Sequence, residues 1–352
     1  MITKFSISHF RGIRQLTVDG IRQLNVFLGY NNCGKSSVLE ALYLFFDPSH
    51  PVNNMQINRV RHFYRMDASV LPLNFYGLDT SAPIVFEGFF ENQEKRRLTI
   101  DYISQDSDKA DLSDLPLTNH KYDKLYGLSN TLSIDNAEGS KSYQFVIEPI
   151  DDGKARVGVN KQNGEYKDSF NCGFMPPSSN INDYLSSFKD IVENKEIDEL
   201  VSSLREIEPR LLTLTLVGQQ IMADIGLRKL IPIQLLGDGI RKLFSIAIFM
   251  YQLRGGVVLL DEVDNGLHYK SMPTLWRTII HMSKKYHVQL FVTTHNLDSL
   301  RAFASVLAHE GKDLQGQSNT YTLRRNSAGE LKALRNGYEQ FEYMINQEME
   351  LR

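Results

Sequence analysis

The sequence predicts an α/β fold with a parallel sheet at its centre, an antiparallel β subdomain and a mixed α/β insertion. Three observations predict it. An apolar run, Leu24–Leu28, leads into a glycine-framed loop, Gly29–Ser36, and then into a stretch with apolar residues at helical spacing, Ser37–Phe46. A second apolar run, Gly255–Leu260, ends in Asp261 and Glu262. A third, Val288–Thr294, ends in His295, and a helical pattern, Ser271–Tyr286, lies between the two. Strand, helix, strand at this spacing is a parallel βαβ unit, which brings both polar ends to one sheet edge. Ligands of open parallel sheets bind at that carboxyl edge.

The elements follow in chain order. Lys4–Phe10 alternates as a strand, Arg11-Gly12 breaks it, and Leu16–Val18 resumes before the turn signal Asp19-Gly20. A hairpin leading into the Leu24 strand is the simplest arrangement. Asp47-Pro48 ends the first helix. Arg59–Arg65 mixes cations with aromatics, a surface of the type that tracks a phosphate backbone through Arg59, Arg61 and Arg65 and stacks on bases; a solvated helix face is the plainer reading. Strands are expected over Ile84–Phe90, Arg97–Ile103, Ser142–Glu148 and Ala155–Val159. Residues 104–140, polar and weakly periodic, are expected to form a long loop or mobile insertion. Ile181–Glu208 reads as helix, broken at Asn194-Lys195, and Leu243–Leu253 as another. Tyr321–Arg325 and Glu330–Leu334 form a hairpin around Asn326–Gly329, followed by a polar helix, Tyr338–Glu350. The implied organisation is three-part: residues 1–46, an insertion at 47–209, and 210–352.

Composition narrows the function classes. With 42% apolar and 23% charged residues, the chain has the balance of a soluble globular protein. Two cysteines, Cys33 and Cys172, exclude a disulfide framework and point to a reducing, cytoplasmic setting. No apolar run reaches bilayer-spanning length, and Met1–Phe5 carries no signal-peptide pattern, so no membrane association is expected. A net charge of −3 gives no bulk attraction to nucleic acid.

The loop Gly29-Tyr30-Asn31-Asn32-Cys33-Gly34-Lys35-Ser36 fits the phosphate-binding pattern G-x-x-x-x-G-K-[ST] in its required strand–loop–helix setting. Gly29, Asn31, Asn32, Cys33, Gly34 and Ser37 supply a backbone that can wrap a phosphate at a helix N-terminus. Lys35 can reach the outer phosphates, and Ser36 is placed to ligate Mg²⁺. The ligand so predicted is a nucleoside triphosphate with Mg²⁺. Val258–Glu262 has the form of a Walker B strand, with Asp261 expected to hold the metal through water and Glu262 to orient or deprotonate the attacking water. His295 could hydrogen-bond a γ-phosphate. Leu235-Leu236-Gly237-Asp238-Gly239-Ile240-Arg241-Lys242 precedes an apolar helix and is a second loop that could face phosphate. Arg11 is a candidate nucleotide contact, with an exposed loop arginine as the plain alternative.

The order P-loop, LLGDGIRK, LLDEVDNGLH, TTH resembles the ABC-type ATPase heads of the structural-maintenance, RecF and overcoming-lysogenization-defect (OLD) groups, and most of all the bacterial AAA-family proteins akin to OLD ATPases. His9-Phe10-Arg11-Gly12 matches the opening strand and turn of that group. The resemblance covers residues 1–46 and 210–352. It implies a P-loop NTPase of ABC-type head architecture in which Gly237, Asp238 and Gly239 reach across a head-to-tail dimer to the partner's γ-phosphate, with Asp264–His268 facing the dimer. LLGDGIRK lacks the serine of the ABC signature LSGGQ. The implied activity is ATP hydrolysis driving a clamp, as a homodimer or higher oligomer. That clamp would gate a separate effector protein in an anti-phage or toxin-like system, or act directly on DNA as RecF-like repair ATPases do. About fifty residues after His295 are too few for the Toprim domain of an OLD nuclease, and no region sustains the heptads of a long coiled coil.

Overall fold

The computed structural model describes residues 1–50, 53–63, 68–104, 126–150, 154–160, 166, 170–177, 181–327 and 329–347. The chain divides into two compact units. The first holds Met1–Arg22, Gly29–Cys172 and Tyr321–Arg335; the second holds Gln23–Leu28, Gly173–Thr320 and Asn336–Arg352.

In the first unit, β1 (Ile2–Phe10) and β2 (Ile13–Asp19) form the expected hairpin, with Phe5 opposite Val18 and Ile7 opposite Leu16. The second unit claims the next strand, β3 (Leu24–Leu28), and the chain re-enters the first as α1 (Lys35–Phe46) and α2 (Asn53–Val60). An antiparallel sheet follows: β4 (Ile84–Phe90), β5 (Lys95–Ser104), β6 (Tyr126–Asn136), β7 (Gly139–Ile150) and β8 (Lys154–Asn160). Its strand order is β2-β1-β4-β5-β6-β7-β8, with β2 outermost. The apolar residues of α1 meet an aromatic cluster on this sheet, Phe45 lying 5.2 Å from Phe5 between ring centroids.

The long loop expected over 104–140 is corrected here. Residues 126–136 form β6, paired along its whole length with β5 and β7, and Gly139 already opens β7. The inward row of β6 is Leu128, Asn130, Leu132 and Ile134, all buried. A buried asparagine in that row, whose Nδ2 donates to the Pro48 carbonyl at 3.2 Å while its Oδ1 has no partner among the described residues, dilutes the apolar alternation that marks a strand. Residues 105–125 lie outside the described residues.

The second unit centres on parallel strands. It adds β9 (Cys172–Met175, from Gly173), α3 (Leu185–Glu193), α4 (Ile197–Arg205), the small antiparallel set β10 (Thr213–Val217), β11 (Gln220–Asp224) and β12 (Ile231–Pro232), and α5 (Asp238–Gln252). The helix break expected at Asn194-Lys195 is present, with Lys195 at φ 59°. Then come β13 (Val257–Leu260), α6 (Met272–Lys285), β14 (Gln289–Thr293), α7 (Leu297–Glu310) and α8 (Lys312–Gly316). β15 (Ser318–Arg325) and β16 (Leu331–Asn336) form the closing hairpin, of which Tyr321–Arg335 belongs to the first unit, and α9 (Tyr338–Asn346) follows in the second. Strands β3, β14 and β13 run parallel and adjacent, Val292 registering with Val26 on one side and Leu260 on the other. All three are buried along their whole length, the signature of a sheet covered on both faces. Trp276 on α6 is fully buried; its ring centroid lies 4.5 Å from that of Phe303, and its Nε1–H donates to Ser299 Oγ at 3.1 Å.

What orients α1 in the first unit is a charge cluster around one buried carboxylate. Glu40, 1% exposed, accepts from Arg61 Nε at 2.8 Å and from Arg61 Nη2 at 3.0 Å. Arg11 Nε stands 2.8 Å from the same carboxylate, but its N–H is not aimed at an acceptor, so this contact is ionic rather than a hydrogen bond. Arg11 Nη2 donates to Asn58 Oδ1 at 3.0 Å. Burial pulls the Arg11 guanidinium down to about 10 against the opposing pull of Glu40, so it keeps its charge at neutral pH. Breaking a buried pair leaves an uncompensated charge. Glu40→Gln is therefore expected to lower unfolding stability by about 3–5 kcal/mol, and Arg61→Ala by much less, because Arg11 still holds Glu40. Urea titrations of both variants check this, and equal losses would refute the ranking.

Candidate nucleotide site

Strand β3 delivers the chain at Leu28 to the carboxyl edge of the parallel sheet, and the loop begins at Gly29. Three residues of the loop take left-handed backbone: Gly29 at φ 140°, Asn32 at φ 64° and Gly34 at φ 110°. Gly29 has a second reason to be glycine. A Cβ there would stand 2.6 Å from the Leu323 carbonyl oxygen and 2.8 Å from Cys33 Sγ, closer than real atoms approach. The loop backbone is thus held against β15 and turns directly into α1, which Gly34 caps and whose first turn carries no acidic residue. An anion meets only N–H groups and the positive helix end there. Lys35, 7% exposed, donates from Nζ to the carbonyls of Gly29 at 2.8 Å and Tyr30 at 2.9 Å. Cys33 is buried, with its sulfur 4.0 Å from that ammonium. Asn31 and Asn32 are exposed at the loop tip, Ser36 is half-buried, and Ser37 Oγ accepts from Arg61 Nη2 at 3.2 Å. These features fit a triphosphate: a backbone wrap at a helix start, with an ammonium on its inner side.

In the second unit the ends of β13 and β14 are locked together by one hydroxyl. Thr293, wholly buried, donates from Oγ1 to Asp261 Oδ1 at 2.5 Å and accepts from the Glu262 N–H at 2.8 Å. Val263 N–H donates to the Thr293 carbonyl at 3.2 Å, and Asp261 N–H to the Met175 carbonyl at 3.0 Å. Glu262 is bent into left-handed backbone at φ 43°. His295 is exposed just past β14, while Thr294 before it is buried. Asp264 is buried as well. Burial pushes its carboxyl up, opposed first by the Thr294 side chain and then by its own backbone, His295 and Asn296. Asp261 fits an Mg²⁺ shell of the kind built from one or two carboxylates, phosphate oxygens and water. Among the described residues no group of three or more His, Cys, Asp or Glu forms a metal cage.

Two residues with a hand in this edge escape sequence reasoning as site residues. One is Thr293, which in the sequence is simply the β-branched end of a strand. The other is Lys242 on α5. Burial pushes its ammonium down while Asp264, Asp261 and Glu262 pull it up, so a cation sits within the field of three carboxylates; its Nζ donates to the Pro177 carbonyl at 3.0 Å. Its signal was the final lysine of LLGDGIRK. Gly237 caps α5, and Gly237 and Asp238 are exposed, with Gly239 half-buried. Arg241 pairs with Asp238, which offsets the acid at this helix start.

Of the cationic surface expected at 59–65, Arg59 is exposed on α2, and Arg61 is exposed as well but commits its Nε and Nη2 to Glu40 and Ser37. Arg65 lies outside the described residues. Arg11, weighed as a nucleotide contact or an exposed loop arginine, is half-buried, its side chain 9% exposed, and is bound to Glu40 and Asn58.

Comparison with known proteins agrees with this geometry. A family model described as "AAA domain, putative AbiEii toxin, Type IV TA system" matches residues 24–301, from β3 through the start of α7. The chain belongs to this family. A protein of Helicobacter pylori named "ATP/GTP phosphatase" is 24% identical over 348 residues, covering 92% of this chain and 93% of that protein. An uncharacterised protein of Methanocaldococcus jannaschii is 30% identical over 106 residues, 30% of this chain and 43% of its own length. Among solved structures, an SMC head bound to the C-winged helix domain of ScpA aligns over 96% of this chain and 97% of its own, at 13% identity and TM-score 0.47. The SMC head domain from Thermotoga maritima aligns over 95% and 98%, at 13% identity and TM-score 0.42. The AAA domain is a P-loop ATPase of α/β architecture, as the parallel core and glycine loop require.

If Thr293 is the lock described, Thr293→Val deprives a buried carboxylate and a backbone N–H of their partner. The expected loss is about 1–3 kcal/mol of unfolding free energy, together with loss of nucleotide turnover. A urea midpoint and a phosphate-release assay check both, and unchanged values would remove Thr293 from this role.

Proposed function

We propose that this chain is an ATP-binding and ATP-hydrolysing conformational switch that closes head-to-tail with a second copy and so gates a separate effector protein. One observation carries the reading: a glycine-constrained loop runs from a buried parallel strand into a helix N-terminus with Lys35 at its first position. Two names support it. A relative along nearly the whole chain is called an ATP/GTP phosphatase, and the family description refers to a toxin–antitoxin system.

In this reading the loop amides of residues 31–37 and the Lys35 ammonium bind the phosphates. Lys35 exchanges its two carbonyl partners for phosphate oxygens, a charge-assisted contact stronger than the neutral ones it leaves. Ser36 and Asp261 are the residues that would hold Mg²⁺, which when bound supplies charge neutralisation at the phosphate oxygens. Glu262 orients a water and accepts its proton as the oxygen adds to the γ-phosphorus; ADP leaves and inorganic phosphate forms. His295, exposed at the same sheet edge, donates a hydrogen bond to the terminal phosphate. Gly237, Asp238 and Gly239 lie at an exposed helix start, suited to reach a nucleotide held by another copy.

Two measurements test this. Lys35→Ala is expected to weaken ATP binding at least tenfold, about 1.4 kcal/mol, by calorimetry; unchanged affinity would sink the nucleotide assignment. Glu262→Gln, which should bind ATP without turning it over, is expected to shift to a dimer with ATP and Mg²⁺ in light scattering. Adding Gly237→Arg, at a position with nothing within 4 Å of a new Cβ, should abolish that shift while leaving ATP binding intact. A Glu262→Gln protein that stays monomeric at saturating ATP contradicts the clamp.

A further inference from the structure

Two terminal strands of the first unit face each other across a groove that the nucleotide chemistry does not use. β2 is the outermost strand of the antiparallel sheet, and β16 is the outermost strand beside β15. Arg14–Thr17 form one wall and Glu330–Leu334 the other, enclosing about 570 Å³. Four strand residues at about 3.3 Å each give a wall on the order of 13 Å long.

Ties at both ends define the groove. At one end Arg325 Nη2 donates to the Gly12 carbonyl at 2.7 Å. At the other, Tyr321 Oη donates to the Asp19 carbonyl at 3.2 Å, and the Arg335 guanidinium lies against Gly20. A short extended segment of about four residues matches the lined length of the walls. Terminal strands offer main-chain donors and acceptors to such a segment, and alternate side chains of both walls contact it.

Charge selects the segment. Arg14 and Lys332 are exposed cations on opposite walls. The one acid between them, Glu330, is already engaged, accepting from Asn326 Nδ2 at 2.9 Å and standing 3.6 Å from Lys332 Nζ. Leu334, 52% exposed, adds an apolar contact. The groove also adjoins the nucleotide loop: Leu331 of the same wall is buried, its Cδ2 3.2 Å from where a Cβ on Gly34 would stand. A chain bound along β16 therefore presses on a residue that packs against the P-loop.

The geometry points to a docking groove for an extended acidic peptide segment of a partner protein, bound by strand addition between β2 and β16. This goes beyond the ATPase reading and does not depend on it, because docking is read without nucleotide. The test uses the full chain and a fluorescein-labelled hexapeptide, Val-Glu-Val-Glu-Val-Glu, followed by fluorescence anisotropy. The expected result is binding at least tenfold tighter than that of the Val-Lys counterpart, and a tenfold or greater loss when alternate backbone amides of the acidic peptide are N-methylated. The double variant Arg14→Glu/Lys332→Glu should also lose affinity at least tenfold while keeping the ATP affinity of the parent. Hydrogen exchange should slow at amides within 13–17 or 331–333 when the acidic peptide is bound. Equal affinity for the acidic and lysine peptides, no effect of N-methylation, or absence of binding by any of the peptides each overturns the proposal. All three outcomes are read on the unmodified protein, so a variant that folds poorly does not blunt the test.

Discussion

Everything at the nucleotide loop depends on one close approach of backbone to backbone. The Leu323 carbonyl oxygen leaves no room for a side chain at Gly29. The chain leaving β3 must therefore turn at a residue without a Cβ and with positive φ, and only glycine meets both demands without strain. Once that turn is fixed, the next five residues have little freedom. Gly34 supplies a second left-handed turn, Leu331 packs beside it, and α1 starts at Lys35 with its N–H groups clustered around the loop. The phosphate cradle is thus a consequence of packing against β15 and β16 as much as of the motif.

The same helix is held from behind by electrostatics. Two guanidinium groups on one buried carboxylate give a net positive cluster one turn into α1. Exposed ion pairs contribute little to stability, whereas this cluster sets geometry because losing the buried carboxylate strands the cations around it. Arg11 sits in left-handed backbone at φ 49°, directly after the strand that begins the fold, and so ties the β1–β2 hairpin to the P-loop helix. A residue that sequence reasoning weighs as a ligand contact turns out to carry a structural load in the conformation described here. The same holds for Arg61.

Much of the parallel core was legible because its signals are local and redundant. β3, β13 and β14 are unbroken apolar runs ended by polar residues, and their βαβ order leaves a single common edge. The break between α3 and α4 was legible for a similar reason, since Asn194-Lys195 interrupts a strong period. β6 was not, because its buried row includes Asn130 and its other row, Gly127, Ser129, Thr131, Ser133 and Asp135, is polar or small, so its strand character depends on β5 and β7 as neighbours. The roles of Lys242 and Thr293 were not legible for another reason. Their roles rest on contacts with residues 19 or more positions away, between elements whose pairing no period records.

Two residues of the proposed chemistry, Asn32 and Glu262, have positive φ without being glycine, as do His62, Leu78, Gln93 and Lys195 elsewhere. Such conformations cost on the order of 1–3 kcal/mol each and persist only where the surroundings over-determine them. For Glu262 the determining contacts are explicit: its own N–H is held by the Thr293 hydroxyl, and the next residue's N–H by the Thr293 carbonyl. A carboxylate at a relaxed strand end would sample several directions. One anchored through two successive amides to a buried threonine keeps its Cα and Cβ in one place, so only its own rotamers remain free. The proposed general-base action on a water needs that placement, because phosphoryl transfer is limited by positioning rather than by bond-making on the protein. The threonine that ends β14 thereby sets the direction of the acid that ends β13, and the parallel register of the two strands is what brings them level.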